Sequence, residues 1–239
     1  MKNTKNPLVS VIITTKNEEK YLERTLLAIK KQTYRPIETV VSDAESTDMT
    51  AEVARKCGAK VVVKKSNPAE GRNIGAEKSK GEILAFLDAD TILKKDFIER
   101  AVNNLRNKDV DITFGIFRSV EKSLMARFTC FIWSDFLPLI PRAFGMKIHA
   151  APSVMIIKRN VFMKASGYNE NLNFGDDIEF VKRIGDKVNI LWDREMFAKT
   201  SMRRFEKGGY TKWYLFWLFQ ALKILFFSKS KQGEYKIIR

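Results

Sequence analysis

Acidic side chains follow the predicted strands of the N-terminal half at the points where those strands end. Asp43 follows one apolar run, Asp88 and Asp90 follow another, and the polar loop 14–19 follows the first run. In an open parallel sheet, ligands bind beyond the carboxyl ends of the strands, so these side chains should lie on one rim. Two carboxylates at positions i and i+2 can bracket one hard cation, Mg²⁺ or Mn²⁺, which could bridge the oxygens of a diphosphate.

A simpler alternative is that each of these aspartates caps the turn or helix that follows it. A single Asp-x-Asp sequence would favour that alternative. Three polar or acidic loops delivered to the same rim favour a binding site.

The elements that must position these loops alternate between two hydrophobic periods. The pattern predicts strands over residues 8–13, 37–41, 60–64 and 83–87. It predicts helices over residues 17–32, with Asn17 as N-cap, and over 49–57, 72–80 and 97–105. Apolar strands joined by helices indicate an α/β fold with a mostly parallel sheet.

The second half of the chain is less regular. It predicts strands over residues 112–117 and 154–157, and short helices over 160–165 and 177–184. Between them lies an aromatic and proline-rich segment, residues 128–141.

Composition excludes several classes of protein. With 239 residues, 45% of them hydrophobic, the chain has a globular composition rather than a disordered or collagenous one. One histidine and two cysteines without a CxxC spacing exclude His-rich zinc sites, zinc ribbons and disulfide frameworks. Both thiols are expected to be buried and reduced, and no signal peptide is visible, which favours a cytosolic chain. The net charge of +15 predicts an anionic partner: nucleic acid, an acidic membrane or a phosphorylated substrate.

Three segments together resemble a family 2 glycosyltransferase with the GT-A fold. They are VSVIITTKNEEKYLERTLLAIKKQTYRPIETVVSDAESTD, AEGRNIGAEKSKGEILAFLDAD and GYNENLNFGDDIEFVKRI, and they occur in the order and spacing of that family. The resemblance covers residues 7–185 and implies a GT-A catalytic domain over 1–198, with a nucleotide-binding half (7–110) and an acceptor half (111–198). Residues 199–239 form a basic, aromatic extension.

The resemblance also implies roles for individual residues. The loop with Thr14, Thr15 and Glu18, together with Asp43, would hold the base and ribose of a UDP- or GDP-sugar, and Arg72 would contact the nucleotide. Asp90 would bind Mn²⁺ or Mg²⁺, with Asp88 nearer the ribose or the waters of the metal. Asp177 would be the general base, and Asp176 before it is the other candidate. Arg203 and Arg204 would reach the diphosphate, although a solvated basic turn explains them equally well.

Some positions depart from the family pattern or are open to two interpretations. Thr14 replaces a proline, residues 44–45 (Ala-Glu) replace Asp-Gly, and Asp176 replaces a glutamate. On the acceptor side, Trp133 could bind the acceptor or pack in the core. His149 could contact the acceptor or the metal, although a structural role is expected more often.

The C-terminal extension carries much of the positive charge. Residues 199–239 contain ten Lys/Arg and two Asp/Glu, a balance of +8. A helix is predicted over residues 212–231, and its apolar stretch 213–227 would span about 22 Å, short of the roughly 30 Å hydrocarbon core. Its narrow basic stripe and broad aromatic face are typical of a helix lying in a membrane interface. The alternative is a helix that packs on the catalytic domain or on a second protomer.

The residues and the resemblance together predict a metal-dependent inverting glycosyltransferase, cytoplasmic and peripherally associated with the membrane. Its acceptor would be a glycan or a lipid-linked glycan. A polyprenyl-phosphate glycosyltransferase is the nearest alternative, and its phosphate acceptor needs no base. A nucleic-acid-binding protein is less favoured, because the densest basic cluster flanks an apolar run. A nucleotidyltransferase should have a Gly/Arg/Lys-rich phosphate loop after the first strand, which residues 14–19 do not supply.

Overall fold

The computed structural model describes residues 6–107, 109–136, 154–172, 175–216 and 219. These residues contain one sheet of eight strands in the order β3-β2-β1-β4-β7-β6-β8-β5. The strands are β1 (Val9–Thr15), β2 (Ile37–Asp43), β3 (Lys60–Val63), β4 (Ile83–Asp88), β5 (Ile92–Leu93), β6 (Ile112–Ser119), β7 (Val154–Lys158) and β8 (Ile190–Thr200).

Helices connect the strands and cover both faces of the sheet. They are α1 (Glu19–Lys30), α2 (Thr50–Lys56), α3 (Pro68–Lys78), α4 (Phe97–Arg106), α5 (Leu124–Phe131), α6 (Arg159–Lys164), α7 (Asp176–Ile184) and α8 (Arg203–Gly208). A π-helical turn, Ile132–Phe136, continues α5, and residues 210–216 are again helical.

Strand direction confirms the predicted α/β sheet and brings the polar loops to one edge. The pairs β3–β2, β2–β1, β1–β4 and β6–β8 are parallel, whereas β7 runs antiparallel to both its neighbours. Thr14 lies level with Asp88 and Thr15 level with Asp43, at the last residues of three adjacent strands. The three loops therefore leave the sheet side by side.

Two hydrophobic clusters fix the sheet between its helices. Leu22 and Leu26 of α1 and Phe97 of α4 are buried in one cluster. On the other face, the rings of Phe86 and Phe162 lie 4.9 Å apart, in a group of tilted and edge-to-face aromatics. Apolar burial on both faces explains why β1 and β4 have nearly unbroken apolar sequences.

Several local predictions were wrong. Asn17 does not cap α1, which begins at Glu19. The backbone of Asn17 has a φ of 56°, and its side-chain oxygen accepts a hydrogen bond from the N–H of Thr47 at 2.9 Å. Helix α3 begins at Pro68, four residues earlier than predicted, because the Asn67 side chain caps it. Of the two thiols, Cys130 is buried but Cys57 is only partly so.

Strands β5 and β8 were not predicted. Strand β8 pairs with β6 and β5, and its buried residues 196, 198 and 200 alternate with more exposed ones. It continues to Thr200, two residues beyond the expected end of the catalytic domain at residue 198.

Part of the predicted C-terminal helix and of the aromatic segment lies outside the described residues. This holds for His149, for residues 137–141, and for most of residues 212–231. None of the helices in the described ranges combines the length and the apolar character needed to traverse a bilayer.

Candidate active site

The first two loops are locked together by hydrogen bonds at the sheet edge. The hydroxyl of Thr15 donates to Asp43 at 2.7 Å, and the backbone N–H of Ser46 donates to the other carboxylate oxygen at 2.9 Å. The ammonium of Lys16 donates to the carbonyls of residues 44–45 at 2.7 and 2.6 Å. Asp43 is 1% exposed, so its carboxylate shapes the second loop in this ligand-free structure.

Arg72 joins the end of β4 to the acidic pair at the start of α7. One guanidinium nitrogen lies 2.6 Å from Asp176 and the other 3.4 Å from Asp88. The guanidinium also lies 5.6 Å from the ring centre of Tyr168. Burial opposes the charge of Arg72, whose side chain is 17% exposed, but Asp176 and Asp88 outweigh it and raise the pKa. Arg72 therefore stays a cation between the two acidic motifs.

The second acidic pair, Asp176 and Asp177, lies at the start of α7. Asp176 is buried on Arg72, whereas Asp177 is half-buried and accepts the N–H of Ile178 at 2.8 Å. Burial, and then the charge of Asp176, raise the pKa of Asp177 to about 7, although Arg72 opposes the shift. A carboxylate with a pKa near neutrality suits a general base.

Helix α3 holds the loop that precedes this acidic pair. The amide of Asn73 accepts the N–H of Tyr168 at 2.9 Å and donates to the Tyr168 carbonyl and to Glu170, both at 2.9 Å. A side chain at Gly167, where φ is +64°, would meet the Asn73 amide at 2.5 Å. The neighbouring residues Arg72 and Asn73 of α3 therefore position the guanidinium between the acidic motifs and hold the loop that precedes α7.

A second arginine, from the end of the fold, meets Asp90. Arg203 of α8 lies 2.6 Å from both carboxylate oxygens of Glu18 and 3.2 Å from Asp90, with its guanidinium 3.8 Å from the ring centre of Tyr21. Even so, burial and the neighbouring Asp88 raise the pKa of Asp90 to about 6. The negative charge at this strand end is thus only partly compensated by protein groups.

The Asp-x-Asp pair has the chemistry of a divalent-cation site that is open on one side. Carboxylate oxygens are the ligands that Mg²⁺ and Mn²⁺ prefer, and the pKa of Asp88, like that of Asp90, is raised chiefly by burial. A cation would relieve that unfavourable charge. In the described part of the chain, no group of three or more acidic, histidine or cysteine side chains converges on one point. The residues fit a cation that takes its remaining ligands from outside the chain.

The structure brings most of the predicted site residues to this edge of the sheet. Those that meet there are Thr15, Glu18, Asp43, Arg72, Asp88, Asp90, Asp176, Asp177 and Arg203. Thr14 is partly exposed, and its methyl group would lie 3.0 Å from a side chain at Gly71. Arg204 is 70% exposed and 3.8 Å from Glu18. Trp133 instead lies after α5, stacked on Tyr214 at 6.5 Å.

Three residues of the site were not predicted. Tyr21 lies beneath the guanidinium of Arg203, and Tyr168 faces that of Arg72. The hydroxyl of Thr200 lies 3.4 Å from Asp90, at the end of β8. Tyr168 lies inside a segment already singled out for its acidic pair. The buried alternation along β8 was the signal that could have located Thr200.

The chain is similar to known proteins in sequence and in fold. Residues 10–164 match the model of the family described as Glycosyl transferase family 2. Glycosyltransferase GlyG of Streptococcus pneumoniae serotype 4 is 31% identical over 126 residues, which are 48% of this chain and 41% of that protein. The chain thus matches less than half the length of this relative.

Solved structures share the fold. TarS residues 1–349 of S. aureus, in complex with UDP-GlcNAc, superpose with a TM-score of 0.63 at 20% identity, covering 81% of this chain and 58% of that one. The mannosyltransferase PcManGT of Pyrobaculum calidifontis, in complex with GDP-Man and Mn²⁺, gives 0.63 at 21% identity, covering 83% and 58%. At this level of identity the likeness concerns the fold.

Proposed function

Because the chain belongs to glycosyl transferase family 2, we propose that it is a metal-dependent, inverting glycosyltransferase. It moves a sugar from a nucleoside-diphosphate donor to a hydroxyl of a glycan or of a lipid-linked acceptor. The observation that carries the proposal is the position of Arg72, 3.4 Å from the Asp-x-Asp motif and 2.6 Å from the acidic pair of α7. A donor-side motif and an acceptor-side motif thereby face one another across a single side chain.

The first two loops and α3 bind the nucleotide. Thr14, Thr15 and Glu18 line the end of β1, Asp43 organises the second loop, and Arg72 supplies a cation beside them. The related folds were solved with UDP-GlcNAc and with GDP-Man, which supports a UDP- or GDP-sugar as donor.

Asp90 and Asp88 would hold Mn²⁺ or Mg²⁺. The raised pKa of both carboxyls supports a cation there, and the PcManGT structure contains Mn²⁺. The metal, when bound, would neutralise the charge that develops on the leaving diphosphate. Arg203 and Arg204 add positive charge on the same side, and both contact Glu18.

Asp177 acts as the general base. Its carboxylate removes the proton of the acceptor hydroxyl as that oxygen attacks the sugar from the face opposite the diphosphate, so the configuration inverts. The pKa near 7 keeps a large fraction ionised at neutral pH and still gives driving force for the proton transfer. Asp176 stays on Arg72 and positions it.

Thermal-shift screening of UDP- and GDP-sugars with Mn²⁺ tests the donor class. A ligand at about a hundredfold excess over its Kd stabilises the fold by roughly 2.7 kcal/mol. Asp90→Ala should abolish the Mn²⁺-dependent part of this shift, whereas Asp186→Asn, an exposed aspartate after α7, should leave it unchanged. A hit with only non-sugar nucleotides would contradict the proposal.

A second variant distinguishes a hydroxyl acceptor, which needs a general base, from a phosphate acceptor. Asp177→Asn should bind donor normally and lose transfer by a factor of about 10² to 10⁴, the usual contribution of a general base. Normal turnover by this variant would remove Asp177 from the base role and favour a phosphate acceptor, which needs no base.

We also propose a cytoplasmic location on the inner surface of a membrane. The balance of +8 over residues 199–239 supports attraction to anionic lipids, and the two free thiols suit a reducing compartment.

A further inference from the structure

Helix α5 exposes a continuous apolar stripe that the catalytic site does not use. Its members recur at positions i, i+1, i+4 and i+7, and they are Leu124 (80% exposed), Met125 (50%), Phe128 (57%) and Phe131 (51%). The opposite side of the helix, Ala126 and Cys130, is buried against Met202. Single exposed apolar side chains are ordinary, but a contiguous group of this kind marks an interaction surface. We call these four residues the α5 stripe.

The C-terminal segment lies against the same helix and adds to the exposed apolar surface. Tyr214 places its hydroxyl 2.6 Å from that of Thr129, and its ring stacks on Trp133 with 7° between the planes. Next to it, Leu215 is 63% exposed, and Phe219, one helical turn later, is 65% exposed. Two apolar elements are therefore held together on one side of the molecule.

This side of the molecule adjoins the catalytic edge of the sheet. Strand β6, which leads into α5, ends at Ser119 level with Thr200 of β8. The Thr200 hydroxyl lies 3.4 Å from Asp90. The α5 stripe thus begins five residues beyond the strand end that borders the candidate metal site.

The charges around the stripe select the partner. Lys122, Arg127, Lys207 and Lys212 are all exposed near these two elements. Of the nearby acids, Asp135 is paired with two arginines, whereas Glu121 and Glu206 accept hydrogen bonds from neutral groups and keep their negative charge. The four exposed cations outnumber these two carboxylates. A second copy of the chain docked on this face would place the same excess of positive charge against the four cations, which is unfavourable. Residues 137–153 contain no acid and residues 220–239 only one, so neither stretch offers matching charge.

We propose that the α5 stripe, Leu215 and Phe219 together form a docking face for an anionic lipid bilayer. Aromatic and aliphatic side chains enter the head-group region while the surrounding cations contact lipid phosphates. The inference extends the proposed function: docking here brings the catalytic edge to the bilayer surface and favours the lipid-linked acceptor over a free glycan.

The test is co-sedimentation of the full chain with vesicles of phosphatidylcholine alone, or mixed with phosphatidylglycerol, at low and high salt. Wild type should bind the anionic vesicles, more weakly as salt rises. The double variant Phe128→Ser/Phe131→Ser should bind roughly tenfold more weakly for each phenylalanine removed. The matched control Leu27→Ser/Met163→Ser removes apolar side chains of 40% and 52% exposure outside the face and should bind as wild type.

Three results would overturn the docking face. They are wild-type indifference to anionic vesicles, equal losses in the two double variants, or a dimer by light scattering that only Phe128→Ser/Phe131→Ser dissociates. Mn²⁺-dependent stabilisation by a nucleotide sugar, measured on each variant, shows that it is folded. It also separates the two ideas, because donor binding without vesicle binding contradicts only the docking face, and vesicle binding without any donor contradicts only the proposed enzyme.

Discussion

Replacing the candidate base should stabilise the ligand-free protein at high pH while it abolishes transfer. The pKa of Asp177 is about 7 in the fold, against 3.8 for an unperturbed aspartate. Between these two pH values the folded state holds a proton that the unfolded state has released. The contribution of Asp177 to the free energy of unfolding therefore decreases as the pH rises between these two values. Asp177→Asn removes the titration and with it the loss.

The size of the effect follows from the same two values. Their difference corresponds to roughly 4 kcal/mol, at about 1.36 kcal/mol per pH unit, once the carboxyl is fully ionised. Asp177 is only half-buried, and solvent screens part of its charge. We therefore expect Asp177→Asn to gain on the order of 1–2 kcal/mol at about pH 8 and little at about pH 4.

Urea unfolding across this pH range measures the difference, since the midpoint shifts with stability when the slope is unchanged. Glu23→Gln, an exposed site on α1, is the control for removing one negative charge from a chain of net charge +15. A gain in stability that is the same at every pH, or one matched by Glu23→Gln, would refute the raised pKa of Asp177 on which its assignment as the base depends. A destabilised Asp177→Asn above pH 7 would refute it as well.

Three further substitutions probe the scaffold of the site. Arg203→Met leaves Glu18 buried without its cation, and calorimetry should show that the variant is less stable by about 3 kcal/mol. A variant as stable as the wild type would contradict a stabilising ion pair. Gly75→Ala would place a methyl group 2.3 Å from Ile12, so overpacking between α3 and β1 should cost about 1–3 kcal/mol in denaturant titrations. Asn73→Ala frees the loop before α7 from three hydrogen bonds, and kcat should fall more than donor affinity does. Equal losses in both quantities would argue against that positioning role.

The sequence was sufficient for the parts of the fold with strong, local signals. The apolar runs that became β1 and β4 are buried on both faces, as is the second half of β2, and the final residues of these strands deliver the predicted loops to one edge. The short strand β5 and the irregularly paired strand β8 were not predicted, because two residues carry no period and β8 begins with positions that are all at least partly exposed. Their assignment depends on pairing partners far away in the chain.

The site was predictable in its membership and less so in its contacts. Asp88 and Asp90 stood out by type and by position after a strand, whereas Asp177 was indicated by the resemblance to family 2 glycosyltransferases. That Asp43 is occupied by its own loop, or that Arg203 lies between Glu18 and Asp90, depends on side-chain packing across the fold. No spacing in the sequence encodes such contacts.

The bond between Arg203 and Glu18 joins residues 185 positions apart, and this has a consequence for synthesis. A chain emerging from the ribosome exposes β1 and its loop first and supplies Arg203 only after the last strand. Until then, Glu18 and Asp90 share a pocket without their guanidinium, and their mutual repulsion opposes its closure. The cluster of Glu18, Asp90 and Arg203 is therefore completed late, and a nascent chain that stops before residue 203 lacks the guanidinium that joins the two carboxylates.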